Sequence, residues 1–495
     1  MADLGLVKTL AGALGTNEAS LTLILGLLAG YPLAFFQRQF LFGKSATLHH
    51  IYFTLTGLGI LYANFGTDII HHVICVFTNY MLMRIIGPKL LSVQLAFVFN
   101  MAYLLAGYHF CASNTYDVMW TTPHCVMTLR LIGLVTDHFD GGKDPAQQSA
   151  DQKKLGLTRL PSLLEVAGHS FHFGGVLVGP QMYSLASFPY SSFPPAHLSL
   201  TLIFFQFPMR MYLDMIEGKL TDNTEGKRPA CVVPALKRMA IGLGYTVAFA
   251  VLNGYYYDDY MTEPSFFELP WLQKYIFVLI WGKVMLYKYV GCWLLAEGSC
   301  ILSSLTYNGR DEHGNPLWDS CKNIKLSKFE MVMSFQDVID SFNINTNKWA
   351  AHYVYKRLKF LNNRMLSQLF TLVFLALWHG FHSGYYACFF LELVYVNAEK
   401  QAHDLMKVSP LVSSVVRHPV VRPFLLVALK LVLLAHLGYP LTPFALLKSA
   451  KWWQVHRSLY FTGHWPFLVF LAAAPFLKKL LKPRASKPSK DTKSE

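Results

Sequence analysis

The chain has 495 residues, of which 53% are hydrophobic and only 15% are charged, and its formal net charge is +14. A typical globular chain carries about 25% charged residues, so this composition excludes an ordinary soluble protein with a water-covered surface. The basic residues lie in short loops and in the C-terminal tail, which is the positive-inside pattern. No aromatic and glycine pattern of an RNA-binding module accompanies them, so we expect no nucleic-acid partner.

Apolar runs recur along almost the whole chain. A helix needs about 20 apolar residues to cross a bilayer. The runs are 20–36, 50–65, 69–86, 91–110, 118–135, 163–178, 232–254, 275–295, 366–396, 421–437 and 460–477. Counted in this way there are about eleven, with an uncertainty of about two because run edges blur in a single sequence. The sequence therefore predicts an all-α polytopic membrane protein with about eleven transmembrane helices.

Three polar stretches interrupt these runs. They are 137–159, which we expect to be an interfacial loop, the charged connector 213–228, and 307–363, the longest stretch without a spanning run. We find no internal repeat, so residues 1–484 are predicted to form a single transmembrane domain. The remaining residues, 485–495, are rich in Lys, Ser and Pro and are predicted to be a disordered, basic cytosolic tail.

His379 is the sharpest candidate for chemistry in the apolar part of the chain. It lies near the middle of run 366–396, in the segment Leu377-Trp378-His379-Gly380. Ionisable groups at membrane depth are costly and are therefore candidates for function, and a neutral imidazole can act as a general base. On spacing alone, a helix-packing histidine bonded to a neighbour is an equal alternative. His382, one turn later, would lie on nearly the same helix face and is the obvious rival.

Asn343, Asn345 and Asn347 alternate inside the polar stretch 307–363. This spacing does not suit a helix interior, because asparagine competes for backbone hydrogen bonds. An isolated stretch of this kind is more often an ordinary polar loop than a functional one.

An aromatic and basic cluster follows the asparagines. Its members are Trp349, Tyr353, Tyr355, Lys356, Arg357, Lys359 and Arg364. Coenzyme A carries several phosphate charges, which a dense group of Lys and Arg side chains at the cytosolic edge would suit. Positive-inside anchoring explains the same charges equally well.

Other catalytic patterns are missing from the sequence. There is no Gly-x-Ser-x-Gly nucleophile elbow and no Walker loop, and no His is followed five positions later by Asp. The histidine pairs are too few for a membrane di-iron site, so we expect no metal site.

The polar segment 342–349 and the buried segment 377–380 together resemble the signature of the membrane-bound O-acyltransferase family. Within that family the chain most resembles the group of lysophosphatidylcholine acyltransferases. The resemblance covers nearly the whole chain, including residues 30–32, 120–125, 137–144, 161–168, 179–181, 355–363 and 379–385. It implies a fold of many helices around a catalytic tunnel.

The resemblance also assigns roles to individual residues. The family's catalytic histidine and asparagine fall on His379 and Asn343, which demotes His382 to a substrate contact. The expected substrate-binding residues are Trp349, Tyr355, Lys356, Arg357, Lys359, Trp378 and His382. Acyl-CoA would enter from the cytosolic side as a substrate, so no cofactor is expected, and the lysophospholipid would enter from the bilayer or the lumenal side.

The function implied by the resemblance is transfer of a polyunsaturated acyl chain from acyl-CoA to the sn-2 hydroxyl of lysophosphatidylcholine. Lysophosphatidylethanolamine and lysophosphatidylserine would be further acceptors, the location would be the endoplasmic reticulum membrane, and a homodimer is left open. One alternative is acyl transfer to a sterol, a diacylglycerol or a protein serine. Another is a lipid transporter or scramblase. Repeat symmetry would favour a transporter, and we find no internal repeat.

Residues 182–206 depart from the family pattern and look like an insertion. Without them, Gly179-Pro180-Gln181 would join directly to Phe207-Pro208. An insertion at this position would crowd the tunnel or lower activity, so an impaired isoform is a third alternative.

Overall fold

The computed structural model describes residues 5–14, 16–111, 118–178, 208–222 and 227–481. The described residues form helices and short turns, with one isolated bridge between Arg310 and Pro316. The predicted insertion 182–206 and the predicted tail 485–495 lie outside the described residues.

The described residues up to Leu302 form twelve α-helices. They are α1 Gly5–Leu14, α2 Glu18–Phe36, α3 Ala46–Phe65, α4 Ile69–Ile86, α5 Leu90–Phe110, α6 Thr121–Gly141, α7 Ala150–Leu155, α8 Leu163–Ser170, α9 Met209–Ile216, α10 Val232–Asn253, α11 Pro264–Glu268 and α12 Trp271–Leu302. A π-helix at Gln37–Leu41 extends α2, and 3₁₀ turns occupy Gly66–Asp68 and Asp258–Thr262.

Ten further α-helices follow. They are α13 Leu326–Glu330, α14 Phe335–Ser341, α15 Ile344–Tyr353, α16 Arg364–His379, α17 Ser383–Val408, α18 Pro410–Arg417, α19 Val421–Gly438, α20 Leu441–Leu446, α21 Ser449–Ser458 and α22 Trp465–Leu481. A 3₁₀ helix at Tyr355–Leu361 separates α15 from α16.

Six stretches of the described residues are long and apolar enough to cross a membrane. They are Glu18–Leu41, Ala46–Ile86, Leu90–Phe110, Val232–Thr262, Trp271–Leu302 and Val421–Leu446. Their outward faces carry large apolar side chains, such as Val233, Val247 and Val251 on α10, as expected where lipid replaces water. The helical, multi-pass prediction is confirmed, whereas the count of about eleven is not.

One of the predicted runs is wrong as a helix over its full length, because a buried polar side chain binds part of it. Run 163–178 is helical only as far as Ser170, because the following segment is held by a buried arginine on α6. The Arg130 guanidinium donates to the carbonyls of His169 at 3.3 Å, Ser170 at 2.6 Å and Gly175 at 2.7 Å. The polar stretch 137–159 is also more helical than expected, since α6 continues to Gly141 and α7 lies within it.

The chain divides into two compact units. The first comprises residues 1–255, 284–329 and 339–381, and the second comprises 256–283, 330–338 and 382–495. In the first unit, α4 and α5 are joined by reciprocal amide hydrogen bonds between Asn79 and Asn100, at 3.0 and 2.8 Å. Both amides are fully buried, so each satisfies the other where no water can. Helices α3 and α8 lie so close that a Cβ on Gly57 would fall 1.6 Å from the carbonyl oxygen of Phe171.

The second unit is built on α17 and its neighbours. The Glu399 carboxylate accepts hydrogen bonds from the backbone N–H groups of Phe335 at 2.7 Å and Gln336 at 3.2 Å, and so caps the start of α14. Tyr439 stacks on His456 with ring centroids 4.1 Å apart. The unit's interior therefore contains polar side chains that are paired with one another.

Candidate active site

His379 is the last residue of α16. The helix ends there because Gly380 has a φ of +129°, a value that favours glycine, and its N–H donates to the carbonyls of Ala376 and Leu377. The run 366–396 is therefore two helices rather than one, and His382 precedes the first residue of α17. The prediction that His379 and His382 share a helix face is wrong, because the backbone turns between them.

Trp378 anchors the end of α16 to two other helices of the first unit. Its Nε1 donates to the carbonyl of Cys125 on α6 at 2.9 Å. Its own carbonyl accepts a hydrogen bond from the Tyr108 hydroxyl on α5 at 3.0 Å. The Trp378 ring lies 4.6 Å from the His379 ring. These contacts fix the backbone directly before His379, and the substrate-binding role of Trp378 stays a prediction.

Asn343 precedes α15 and has left-handed backbone angles, φ 49° and ψ 40°. The expectation that alternating asparagines would prevent a helix is wrong, since Asn345 and Asn347 lie in its first turn. Asparagine is tolerated at this end of a helix because the first N–H groups have no partner within it. The side chains bond outside the helix: Asn345 Nδ2 donates to the Cys321 carbonyl at 3.2 Å, and Asn347 Nδ2 to that of Ile339 at 3.2 Å.

Trp349 packs α15 against α16. It is fully buried, and its ring stacks on Phe374 of α16 with centroids 5.6 Å apart and planes 25° apart. The helix that follows Asn343 and the helix that ends at His379 are therefore in contact through aromatic rings. The substrate-binding role predicted for Trp349 stays a prediction, beside this packing role.

The far end of α15 is held by acidic side chains of α6. The Tyr353 hydroxyl donates to Asp137 Oδ1 at 2.8 Å, and the Arg357 guanidinium forms two hydrogen bonds with the Asp140 carboxylate. Lys143 adds a third cationic contact to Asp140 at 2.6 Å. Burial raises the pKa of Asp140, but the hydrogen bonds and charges of Arg357 and Lys143 outweigh burial and hold that pKa below its ordinary value.

The remaining predicted cations and aromatic groups differ in their surroundings. Lys356 forms an ion pair with Asp151 at 2.6 Å, so both Lys356 and Arg357 meet carboxylates of the stretch 137–159. Lys359 is exposed, and Tyr355 and His382 are half-buried. Contacts of these side chains with a substrate stay a prediction.

Several residues that shape the site were missed by sequence reasoning. Tyr108, Cys125, Asn323 and Asp140 lie far from Asn343 and His379 in the chain, and their contacts depend on the packing of α5, α6 and the segment before α13. Only Asp140 carried a usable signal, because a carboxylate next to an apolar run needs a cation such as Arg357.

Comparison with known proteins extends these observations. The sequence profile of MBOAT, the membrane-bound O-acyltransferase family, matches residues 105–430, a range that holds both Asn343 and His379. The chain is 44% identical over 485 residues to mouse lysophospholipid acyltransferase 5, covering 98% of this chain and 94% of that protein. The human protein of that name is 43% identical, with 97% and 93% covered, and the one from Drosophila melanogaster is 36% identical, with 95% and 89% covered. With its helical, membrane-spanning fold and a family match across most of its length, the chain belongs to the membrane-bound O-acyltransferase family.

Proposed function

We propose that this chain is a lysophospholipid O-acyltransferase that moves an acyl group from acyl-CoA to a free glycerol hydroxyl of a lysophospholipid. The observation that carries the proposal is the identity of 43–44% over nearly the full length of both chains to proteins named lysophospholipid acyltransferase 5.

His379 is the proposed general base. Its neutral imidazole takes the proton from the lysolipid hydroxyl, and the hydroxyl oxygen attacks the carbonyl carbon of the thioester. The C–S bond then breaks, the acyl group stays on the lipid oxygen, and the imidazolium returns its proton to the departing CoA sulfur. General base catalysis of this kind contributes about 10² to 10⁴ in rate, and no covalent acyl-enzyme is needed.

Asn343 is the proposed hydrogen-bond partner of the reacting thioester. Negative charge develops on the carbonyl oxygen during attack, and a fixed N–H donor stabilises that charge far more in a dry site than in water. Support for this role comes from its position at the start of α15, which packs on α16 through Trp349 and Phe374.

The acyl-CoA phosphates are the proposed ligands of the basic segment after α15. Lys356 and Arg357 form ion pairs with Asp151 and Asp140. The exposed Lys359 is therefore the best placed of the three cations to bind a phosphate. Trp349, Tyr355, Trp378 and His382 complete the proposed substrate-binding set, with Trp349 and Trp378 acting through the packing described above.

The finer parts of the proposal follow the family resemblance. Lysophosphatidylcholine is the proposed main acceptor at its sn-2 hydroxyl, with lysophosphatidylethanolamine and lysophosphatidylserine as further acceptors and a polyunsaturated acyl-CoA as donor. Residence in the endoplasmic reticulum membrane is tested by fractionation. A homodimer is tested by measuring the mass of the detergent-solubilised particle.

The direct test is acyl transfer by purified protein in vesicles. Labelled arachidonoyl-CoA is supplied with lysophosphatidylcholine, and the products are separated by lipid class. We expect label in phosphatidylcholine with the parent chain and at least about a hundredfold less with His379→Ala. Label in a sterol ester or in triacylglycerol, when those acceptors are supplied, would move the proposal to another alcohol. No transfer to any lipid would overturn it, and a variant lacking 182–206 would then show whether that segment is the cause.

A further inference from the structure

Asn343 does not cap the helix that it precedes. An asparagine at this position usually has an extended backbone and accepts a hydrogen bond from the second or third N–H of the helix. Asn343 instead has a left-handed backbone, and its side chain accepts no such bond. The first N–H groups of α15 must therefore find acceptors elsewhere.

Asn323 supplies those acceptors from twenty residues upstream. Its backbone carbonyl accepts a hydrogen bond from the N–H of Ile344 at 3.0 Å. Its side-chain Oδ1 accepts one from the N–H of Asn345 at 2.9 Å. Asn323 is only 3% exposed, so these bonds are shielded from competing water. The start of α15 is thus capped by a residue that lies outside the helix.

The side-chain N–H₂ group of Asn323 faces Asn343. Its Nδ2 donates to Asn343 Oδ1 over 3.4 Å, a longer contact than the two bonds to the backbone. The orientation of the Asn323 amide is fixed chemically, because the atom next to the Asn345 N–H must be an acceptor. Its other atom is then a donor, and the Asn343 atom that meets it must be an oxygen. The Asn343 amide is therefore turned so that its own N–H₂ group points away from Asn323.

We propose that Asn323 is a positioning residue, which caps α15 in place of Asn343 and orients the Asn343 amide as a hydrogen-bond donor. The inference rests on the proposed function, because that function gives the freed N–H₂ group its target, the thioester carbonyl oxygen. Asn323 touches no reacting atom. It releases Asn343 from a structural bond and selects the amide orientation that stabilises negative charge.

Asn323→Asp separates the two parts of this role. An aspartate keeps an acceptor for the Asn345 N–H, and its charge suits a helix start, so α15 stays capped. An ionised carboxylate cannot donate to Asn343 Oδ1, so the Asn343 amide turns its N–H₂ group towards residue 323. At pH 8 we expect kcat for acyl transfer to fall about tenfold to a hundredfold, with the KM of each substrate within about twofold of the parent. Asn323→Ala, which loses both the cap and the donor, should show the same fall in kcat and a lower melting temperature.

A matched control is Asn17→Asp. Asn17 is exposed and caps the start of α2, where its Oδ1 accepts the N–H of Ser20 at 2.7 Å, so the change introduces the same charge at a helix start outside the asparagine network. This variant should keep the parent kcat.

A double-mutant cycle shows whether Asn323 acts through Asn343. Each Asn323 substitution is combined with Asn343→Ala, and single-turnover rates are measured with enzyme in excess of labelled acyl-CoA. If the inference holds, Asn323→Asp lowers the rate in the parent chain and leaves it within about twofold in the Asn343→Ala chain, because coupled residues are not additive. An unchanged kcat in both Asn323 variants, or an equal fall in the two backgrounds, overturns the inference and leaves the proposed function standing. A parent chain that transfers no label overturns both.

Discussion

The start of α15 and the end of α16 carry the two candidate catalytic groups, and they are held in different ways. At Asn343 the backbone is left-handed and the helix is capped by the remote amide of Asn323. At His379 the helix stops at a glycine, and the preceding Trp378 is bonded to α5 and α6. In both places a neighbouring residue makes the hydrogen bonds that hold the helix end: Asn323 near Asn343, and Trp378 beside His379.

The comparison shows two ways of satisfying the backbone groups at a helix end without using the reactive side chain. A helix terminus leaves several backbone groups without intrahelical partners, and something must satisfy them. Where that task falls to Asn323 or to Gly380 and Trp378, the side chains of Asn343 and His379 are not consumed by capping. Fixed neighbours around a reactive group are what preorganised catalysis requires.

The largest effect is expected at the α16 end. His379→Ala removes the proposed base and should lower kcat about 10² to 10⁴-fold, measured as label entering phosphatidylcholine. The control is His418→Ala, since His418 is exposed and lies before α19, and it should keep the parent rate. A His379→Ala protein that is folded and transfers at the parent rate would refute the role of this end.

The next effect is expected at the α15 start. Asn343→Ala and Asn343→Gly both remove the amide and should lower kcat about a hundredfold. Glycine adopts the left-handed backbone without strain, whereas alanine does not. Equal losses in the two variants therefore indicate lost chemistry, and a loss confined to the alanine variant would show that the backbone was the cause.

A smaller effect should follow when the anchor beside His379 is weakened. Trp378→Phe keeps an aromatic ring but removes the hydrogen bond to the carbonyl of Cys125, at a cost of about 1 kcal/mol. If this loss acts on the placement of His379, kcat should fall about threefold to tenfold, because about 1 kcal/mol of activation free energy corresponds to about a fivefold change in rate. Trp453→Phe, at an exposed tryptophan of α21, is the matched control. An unchanged rate in the Trp378 variant would mean that this hydrogen bond does not position His379.

The smallest effect on catalysis, with a measurable effect on stability, is expected at the far end of α15. Asp140 is 2% exposed and Arg357 is 31% exposed, so Arg357→Ala leaves a buried carboxylate with Lys143 and Gln152. Removing one partner of a buried pair is destabilising, and we expect about 2 kcal/mol, read as a lower melting temperature in detergent. Lys219→Ala, in an exposed pair with Glu217, should change little.

The stability lost in the Arg357→Ala variant should depend on pH in a defined direction. The lowered pKa of Asp140 means that its ion pair stabilises the protein above the ordinary aspartate pKa, about 4, and that this stability is lost as pH falls through the lowered folded value. Without Arg357, Lys143 still opposes burial but the pKa of Asp140 rises relative to the parent, so protonation costs the folded state less stability. The gap in melting temperature between parent and Arg357→Ala should shrink between pH 7 and pH 4. A gap that widens would contradict the assignment.

The sequence alone predicts the class of the fold and the segments that carry the chemistry. Low charge and recurring apolar runs identify a helical membrane protein, and the segments around Asn343 and His379 stand out as polar groups beside apolar sequence. These properties are local, because each depends on residue types within one stretch of chain.

Helix ends and partners could not be predicted in the same way. Apolar sequence continues on both sides of Gly380, so the run 366–396 is predicted as one span, although a glycine is a common end of a helix. The carbonyls that hold Arg130 and the bonds from Asn323 to Asn343 and Asn345 join residues brought together only by folding. The helix after Asn343 could not be predicted for the same reason, because the acceptors for its first N–H groups come from Asn323.

The most direct test of the account is a double-mutant cycle between the two helix ends. Single-turnover acyl transfer is measured for the parent, Asn343→Ala, His379→Ala and the double variant. If Asn343 and His379 form one site, the double variant should be at most a few-fold slower than His379→Ala, because residues that act as a unit have non-additive effects. If the two losses multiply in full, the helix ends act independently, and the single-site account is contradicted.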